Sequence, residues 1–220
     1  SSLVTGVQTC ALPISPEEVA VHARQPGKAL GRIRYRDLNG DGVIDNQDRA
    51  IIGNPHPDFI YGINLNAAYK GFDLSAYFDG KHGHDIYNTQ RYLGDFSYFS
   101  FNFGANTLDA WSPDNANSNI PALSTNNSNN ELQPSSYFVE DGSYFRLKNI
   151  TLGYTLSDKL IDQWGLNNMR VYLSGQNLWD VTAFTGFDYE VSGLSAGGIG
   201  IAGYGIPHVK SVTFGVSTNF

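Results

Sequence analysis

Hydrophobic and polar residues alternate with a period of two between Phe59 and Phe78. One set comprises Phe59, Tyr61, Ile63, Leu65, Ala67 and Tyr69, and the intervening set comprises Ile60, Gly62, Asn64, Asn66 and Ala68. After Lys70-Gly71 the alternation resumes with Phe72, Leu74, Ala76 and Phe78. Successive side chains of a strand point to opposite faces, so two such runs joined by a tight glycine turn predict a β-hairpin with one apolar face.

Shorter stretches repeat this pattern further along the chain. Ile150–Leu156, Met169–Leu173 and Val212–Phe220 alternate in the same way, and Leu30–Tyr35 is a further short strand candidate. Residues 157–168 form a connector with one helical turn predicted around Leu160 and Ile161. The pattern predicts about six strands in all.

The connections between these strands alternate in length. Lys70-Gly71 and residues 157–168 are short, whereas residues 37–57, 80–143 and 180–208 are long. An outer-membrane barrel has short periplasmic turns and long extracellular loops, and a β-sandwich has no reason for this asymmetry. The predicted fold class is therefore all-β: an antiparallel transmembrane β-barrel with long extracellular loops and outer-membrane lipid against its apolar face.

Composition agrees with this fold and excludes some functions. Among 220 residues, 13% are aromatic and 24 are glycine, which favours β-structure. The net charge of −7 argues against nucleic acid as a partner. No apolar run reaches the length of a spanning helix, although barrel strands do not need one. No Ser/His/Asp or paired-carboxylate arrangement is recognisable, so we predict that the chain is not an enzyme.

The N-terminal segment differs from the rest of the chain. Residues 4–14, which include the single cysteine Cys10, resemble a translated sequencing-adapter oligonucleotide. We therefore predict that residues 1–15 are not native and leave them out of the fold prediction, and we treat residues 16–220 as one barrel segment. The alternative is an ordinary short N-terminal segment.

An aspartate-rich loop from Asp37 to Asp48 is the sharpest local motif. Oxygen-bearing side chains occupy loop positions 1, 3, 5, 9 and 12, and a glycine stands at position 6. This spacing is that of a calcium-binding loop, so Ca²⁺ is the predicted cofactor. The predicted ligands are Asp37, Asn39, Asp41, the Val43 carbonyl, Asp45 and Asp48. An EF-hand has Glu at the last position, whereas the calcium loop of dockerin modules, which this loop also resembles, has Asp. The alternative is a turn whose side chains cap their own backbone.

The long stretch from Gly80 to Asp141 contains an aromatic patch, made of Phe96, Tyr98, Phe99, Phe101 and Phe103. Aromatic rings in a loop can stack on sugar rings, or they can pack against one another. Two loop histidines, His82 and His84, could ligate a metal, although loop histidines of this kind are more often solvated. The sequence leaves these alternatives open.

Several longer motifs, in a fixed order, resemble one family. They are residues 37–44 (DLNGDGVI), 52–65 (IGNPHPDFIYGINL), 69–75 (YKGFDLS), 138–154 (FVEDGSYFRLKNITLGY) and 170–178 (RVYLSGQNL). Together they resemble the C-terminal part of SusC/RagA-type TonB-dependent outer-membrane transporters of Bacteroidota. The resemblance covers residues 26–220, and Phe220 resembles the terminal signal read by the barrel-assembly machinery.

The resemblance carries its own expectations. It implies a barrel of about 22 strands plugged by an N-terminal domain, of which this chain is only the C-terminal portion. It implies import of an oligosaccharide or peptide nutrient, a SusD-like surface lipoprotein as partner, and contact with the TonB complex through the missing N-terminal part. It places the protein in the outer membrane of a Gram-negative cell. The alternative from another class is a secreted calcium-binding β-domain that binds carbohydrate or a protein partner.

Overall fold

A computed structural model describes residues 4–10, 12, 15–96, 102–162, 165–191 and 198–219. The chain divides into two compact units. The loop unit comprises Ser1–His56, Asp85–Asp141 and Glu190–Gly205, and the sheet unit comprises Pro57–His84, Gly142–Tyr189 and Ile206–Phe220. In the described residues, no helix combines the length and the hydropathy that crossing a membrane requires.

Strands dominate both units. In chain order they are β1 (Val4–Val7), β2 (Thr9–Cys10), β3 (Arg34–Tyr35), β4 (Arg49–Gly53), β5 (Phe59–Tyr69), β6 (Phe72–His82), β7 (Asp85–Asn88), β8 (Val139–Asp141), β9 (Tyr144–Thr155), β10 (Asn168–Thr182), β11 (Ile201–Ala202) and β12 (Ser211–Asn219). The α-helices are α1 (Pro16–Val21), α2 (Gln90–Gly94) and α3 (Asp158–Ile161). Short 3-10 helices span Asn46–Asp48, Ala105–Asp109 and Ser136–Phe138.

The sheet unit is a single antiparallel sheet of five strands in the order β12-β10-β9-β6-β5. The predicted hairpin is confirmed. Strands β5 and β6 pair along their full length, from Phe59 opposite His82 to Tyr69 opposite Phe72. Lys70 and Gly71 both have positive φ, 48° and 86°. Two consecutive residues of positive φ make the turn whose twist matches a right-twisted hairpin. The turn therefore fixes the register of the pair.

The two faces of this sheet have opposite character, as the alternation predicts. One cross-strand row reads Ala67, Leu74, Leu152, Leu173 and Phe214, and the neighbouring row on the other face reads Asn66, Ser75, Thr151, Ser174 and Thr213. The apolar side chains are widely exposed, for example 54% for Leu65 and 71% for Phe214. A soluble protein rarely exposes a contiguous apolar surface of this kind.

The connection lengths are confirmed within the sheet unit. The short ones, Lys70-Gly71 and the connector that contains α3, leave one end of the sheet. The long ones, between β6 and β9 and between β10 and β12, leave the opposite end. The predicted helical turn is α3, which ends at Ile161.

The strand predicted at Leu30–Tyr35 is wrong over most of its length. Only Arg34–Tyr35 is extended, and it pairs with Thr9–Cys10 rather than with the large sheet. Gly31 adopts φ 68°, a left-handed conformation that ends an extended segment, and the Trp111 ring packs against it. The large sheet therefore has five strands in the described residues, where the pattern predicts about six.

The loop unit is built from short strands around an aromatic core. The pairs are β1 with β4 and β2 with β3, and a third small sheet has the order β11-β7-β8, in which β11 and β7 are parallel. The buried core residues are Val7, Ile33, Tyr35, Tyr87, Phe96 and Phe138. The Phe138 ring is fully buried and stacks on Tyr92 with 4.2 Å between the ring centroids.

The N-terminal segment takes part in this unit. Strand β1 pairs with β4, and Val7 is only 2% exposed. The Thr9 amide donates to the Ser136 hydroxyl at 2.8 Å. The segment is therefore part of the packed loop unit, which the fold prediction did not include because it left residues 1–15 out. The hypothesis that residues 1–15 are not native stays a prediction.

The aromatic patch is divided between different environments. Phe96 is 4% exposed and packs on Phe138 and Tyr137, so this ring belongs to the core and cannot stack on a sugar. Phe103 is 47% exposed. Tyr98, Phe99 and Phe101 lie outside the described residues.

Removing the central ring should destabilise the loop unit. We expect Phe138→Ala to cost about 3–5 kcal/mol, because it leaves a cavity among packed rings. Faster proteolysis of the loop unit in the full-length protein is the measurement. Phe103→Ala is the control and should change the cleavage rate little. Equal cleavage of the two variants would show that Phe138 is not central to the packing.

Candidate functional site

The polar face of the sheet carries a buried ion pair near the end from which the long connections leave. Arg146 on β9 donates from Nε and Nη2 to the two carboxylate oxygens of Asp79 on β6, at 2.7 and 3.1 Å. The Arg146 side chain is 1% exposed. Lys148 places its Nζ 3.5 Å from the same carboxylate. This two-point geometry holds the guanidinium rigidly on the face.

A second ion pair crosses the same face near the short-turn end. Arg170 on β10 donates from Nε to Asp73 on β6 at 2.9 Å, and from Nη2 at 2.5 Å. The two residues are separated by β9, and they meet above Gly153. A Cβ at Gly153 would lie within 2.6 Å of both side chains. Glycine is therefore what allows the pair to span three strands.

A cavity of about 160 Å³ within the sheet unit is lined in part by Arg146. Its lining includes Asp180, Asp188, Tyr189, His208 and Lys210. His208 lies 3.3 Å from the Asp188 carboxylate, and Tyr189 packs on Tyr144 with 4.4 Å between centroids. Aromatic rings beside charges of both signs suit a polar ligand that offers hydroxyl, amide or charged groups.

The aspartate loop places its oxygens on its own backbone. Asp37 accepts from the amides of Gly40 and Gly42, and Asp41 accepts from the Val43 amide. The Asn39 side-chain oxygen accepts from the Asp41 amide, and the Asp45 carboxylate accepts from the Gln47 amide. In the described residues, no three His, Cys, Asp or Glu side chains form a group able to hold a metal. This geometry is that of the turn alternative, and the calcium site stays a prediction.

Asp48 is the buried anchor of this loop. One carboxylate oxygen accepts from the Leu38 amide and the other from the Asp45 amide, both at 2.8 Å. Burial alone would raise the pKa of Asp48, but hydrogen bonds from backbone amides outweigh burial and hold that pKa below its usual value. Both oxygens of this predicted ligand are thus already engaged.

The loop unit contains a buried polar network that sequence reasoning missed. Arg32 pairs with Glu131, whose other oxygen accepts from the Ile33 amide at 3.0 Å. Asn129 donates to Glu131 and to the Ile33 carbonyl, and Gln25 donates to Asn129 at 2.6 Å. Glu131 is fully buried. These partners lie about a hundred residues apart, so no local pattern could have revealed them.

A second network joins α2 to the segment before β8. Arg91 donates to Asp95 at 2.6 Å and to the Tyr137 carbonyl at 2.7 Å, and its guanidinium lies 4.0 Å from the Tyr137 ring centroid. The Tyr137 hydroxyl donates to Asp95 at 2.8 Å. Burial raises the pKa of Tyr137, so the hydroxyl keeps its proton and acts as a donor.

Comparisons with known proteins place this chain. No protein-family model matches it. It is 34% identical over 221 residues to TonB-dependent receptor P26 of Formosa agariphila, covering 98% of this chain and 22% of that protein. It is 30% identical to TonB-dependent receptor SusC of Bacteroides thetaiotaomicron, covering 84% of this chain and 17% of that one. The solved RagAB peptide transporter matches with a TM-score of 0.76 at 24% identity, covering 99% of this chain and 22% of the solved one.

The fold and the polar face define the class: a segment of an outer-membrane-type antiparallel β-barrel. The chain belongs to the SusC/RagA-type TonB-dependent receptors and matches their C-terminal portion. It spans about a fifth of the length of the curated relatives it matches. Those relatives are named as TonB-dependent receptors, and the solved structure is that of a peptide transporter. The match to P26 covers so much of this chain that it extends into residues 1–15.

The buried ion pair supplies a stability test. Arg146→Met leaves the Asp79 carboxylate with one partner, so we expect a loss of about 3–5 kcal/mol in the full-length receptor. The matched control is Arg170→Met, whose ion pair is about one-third exposed and should matter less. The measurement is the temperature at which the folded form disappears in semi-native electrophoresis. A larger drop for Arg170→Met would contradict the ranking.

Proposed function

We propose that this chain forms the C-terminal barrel segment of a TonB-dependent nutrient importer in the outer membrane. The observation that carries the proposal is the five-stranded sheet with one exposed apolar face and one polar face bearing ion pairs. Lipid fits the first face, and a lumen filled by water and protein fits the second. The exposed apolar rows argue against the alternative of a secreted soluble β-domain, which would have to cover them.

The proposed orientation follows from the connections. In outer-membrane barrels the long loops are extracellular and the short turns periplasmic. The Lys70-Gly71 turn and α3 would then lie on the periplasmic side, and the long connections would lie outside. A SusD-like surface lipoprotein would be the partner on that outer side. The name of the RagAB peptide transporter and the membership of SusC in the same family support this partnership.

The energy source and the cargo belong to the whole receptor. The TonB complex would act through parts of the receptor that this chain does not span. We propose an oligosaccharide or a peptide as the cargo. The mixed lining of the cavity beside Tyr189 and Asp188 suits either class, since both offer polar groups and flat apolar surfaces. The role of Phe220 in barrel assembly stays a prediction, because Phe220 lies outside the described residues.

Charge on the two faces tests the proposed membrane location. We expect Leu65→Arg and Phe214→Arg to cost about 2–4 kcal/mol if those positions lie near the bilayer midplane, because they place charge in hydrocarbon. Asn66→Arg and Thr213→Arg are matched controls one residue away on the polar face. The measurement is the yield of each full-length variant in the outer membrane. Equal losses from both sets would contradict a lipid-facing apolar surface.

We also propose that the aspartate loop binds one structural Ca²⁺ in an extracellular connection. Asp37, Asn39, Asp41, Val43, Asp45 and Asp48 would supply its oxygens. Four carboxylates in one short loop repel each other unless a cation lies among them, and extracellular sites can be as weak as about 10⁻⁴–10⁻³ M. The cation would order the loop and would not activate a water.

The variant Asp41→Asn distinguishes a calcium-binding loop from a turn that only caps its own backbone. Asparagine keeps the acceptor for the Val43 amide and removes the charge. We expect calcium to slow proteolysis between Asp37 and Pro55 in the unmodified receptor and to have a much smaller effect in the variant. The two proteins should be cleaved at similar rates when calcium is chelated. If calcium protects neither protein, the loop is a turn only.

A further inference from the structure

Positive charge is concentrated in one short segment of this acidic chain. Residues 24–36 contain five of the 14 lysines and arginines and no acidic residue. The chain as a whole has a net charge of −7. Such local concentration of one sign creates a field that attracts the opposite charge.

Three basic side chains of this segment, together with a histidine just before it, contribute to the lining of one small cavity. They are His22, Lys28, Arg32 and Arg34, which we call the basic cluster, and the cavity volume is about 10 Å³. The Lys28 ammonium donates to the His22 carbonyl at 2.7 Å, and a neutral carbonyl does not cancel its charge. Arg32 is neutralised by Glu131. Lys28 and Arg34 therefore supply the net charge of the cluster.

Arg34 is the unusual member of the cluster. Its Nε is buried and has no hydrogen-bond partner in the part of the chain that the structure describes. Within the same part, neither Arg34 nor Lys28 forms an ion pair. A buried guanidinium N–H without an acceptor is costly, so an acceptor is expected there. Burial lowers the pKa of His22, and the charges of Arg34 and Lys28 lower it further, whereas the hydrogen bond with Gln25 and the charge of Asp37 raise it.

We propose that the basic cluster binds the oxyanion of a phosphate or sulfate group, with one oxygen in the cavity. A volume of about 10–15 Å³ holds one water-sized atom, which is the size of one oxyanion oxygen. The Arg34 Nε and the Lys28 ammonium would donate to the anion as charge-assisted hydrogen bonds. The group could belong to a soluble ligand or to a lipid headgroup, and both present the same oxygens.

Calorimetric titration of the purified full-length receptor with inorganic phosphate and sulfate, at constant ionic strength in chloride, tests the site. We expect Arg34→Gln and Lys28→Gln each to weaken binding about tenfold, the effect of losing one charge-assisted bond. Arg24→Gln is the matched control, since Arg24 is exposed and does not line the cavity. Arg34→Lys should retain part of the affinity. If Arg34→Gln fails to fold, Lys28→Gln still provides the test.

Lipid nanodiscs distinguish the two sources of the anion. If the group is a lipid headgroup, phosphatidylglycerol nanodiscs should protect the segment around Arg34 from proteolysis better than phosphatidylcholine nanodiscs do. That protection should disappear in Arg34→Gln and persist in Arg24→Gln. The proposal is overturned if neither source binds, or if Arg24→Gln loses as much as Arg34→Gln. Both readouts are independent of uptake, so a failure of the proposed transport function would leave them unaffected.

Discussion

Cross-strand register is the constraint on which the sheet unit depends. Because side chains alternate with a period of two, a slip of one residue would move Asn66 and its polar row to the apolar face. The two-residue turn at Lys70-Gly71 sets the register of the first pair. The Asp73–Arg170 ion pair then ties β6 to β10 across β9, and it can do so only because Gly153 leaves room. A slipped register would separate these charges as well as exchange the faces.

The sheet unit could be predicted because its information is local. Each strand has an alternating pattern of apolar and polar residues in its own sequence. The two short connections can likewise be recognised locally, one from the glycine of Lys70-Gly71 and the other from the break in alternation between β9 and β10. The Gly-containing turn after Tyr69 and the apolar positions of β12 needed no knowledge of distant residues. The same reasoning failed at Leu30–Tyr35. The sequence pattern there predicts a strand, but the left-handed conformation of Gly31 and the packing of Trp111 against it prevent one from forming over most of that stretch. A stretch of six residues shows too few alternations to predict a strand reliably, and one glycine in the left-handed conformation is enough to interrupt it.

The loop unit could not be predicted, for a different physical reason. Its core and polar networks join segments that are distant in sequence, and single positions such as Glu131 and Asn129 look like ordinary surface residues of an Asn/Ser-rich tract. Burial of these groups is tolerated only because each finds its partners. In the aspartate loop the prediction is limited for a different reason, because here the local motif is clear but its role is not. Its spacing is specific, yet backbone amides and a cation compete for the same oxygens, and spacing alone does not decide between them.

The network around Arg32, Gln25, Asn129 and Glu131 also bears on how such receptors can diversify. It joins the segment before β5 to the connection between β6 and β9, so these two parts of the chain form one packed unit. Replacing one of these two segments by a segment without the matching residues would leave buried charges without partners. Exchanging both segments together keeps these pairs intact, so a chimaera is better divided at the edges of the sheet unit than within one loop.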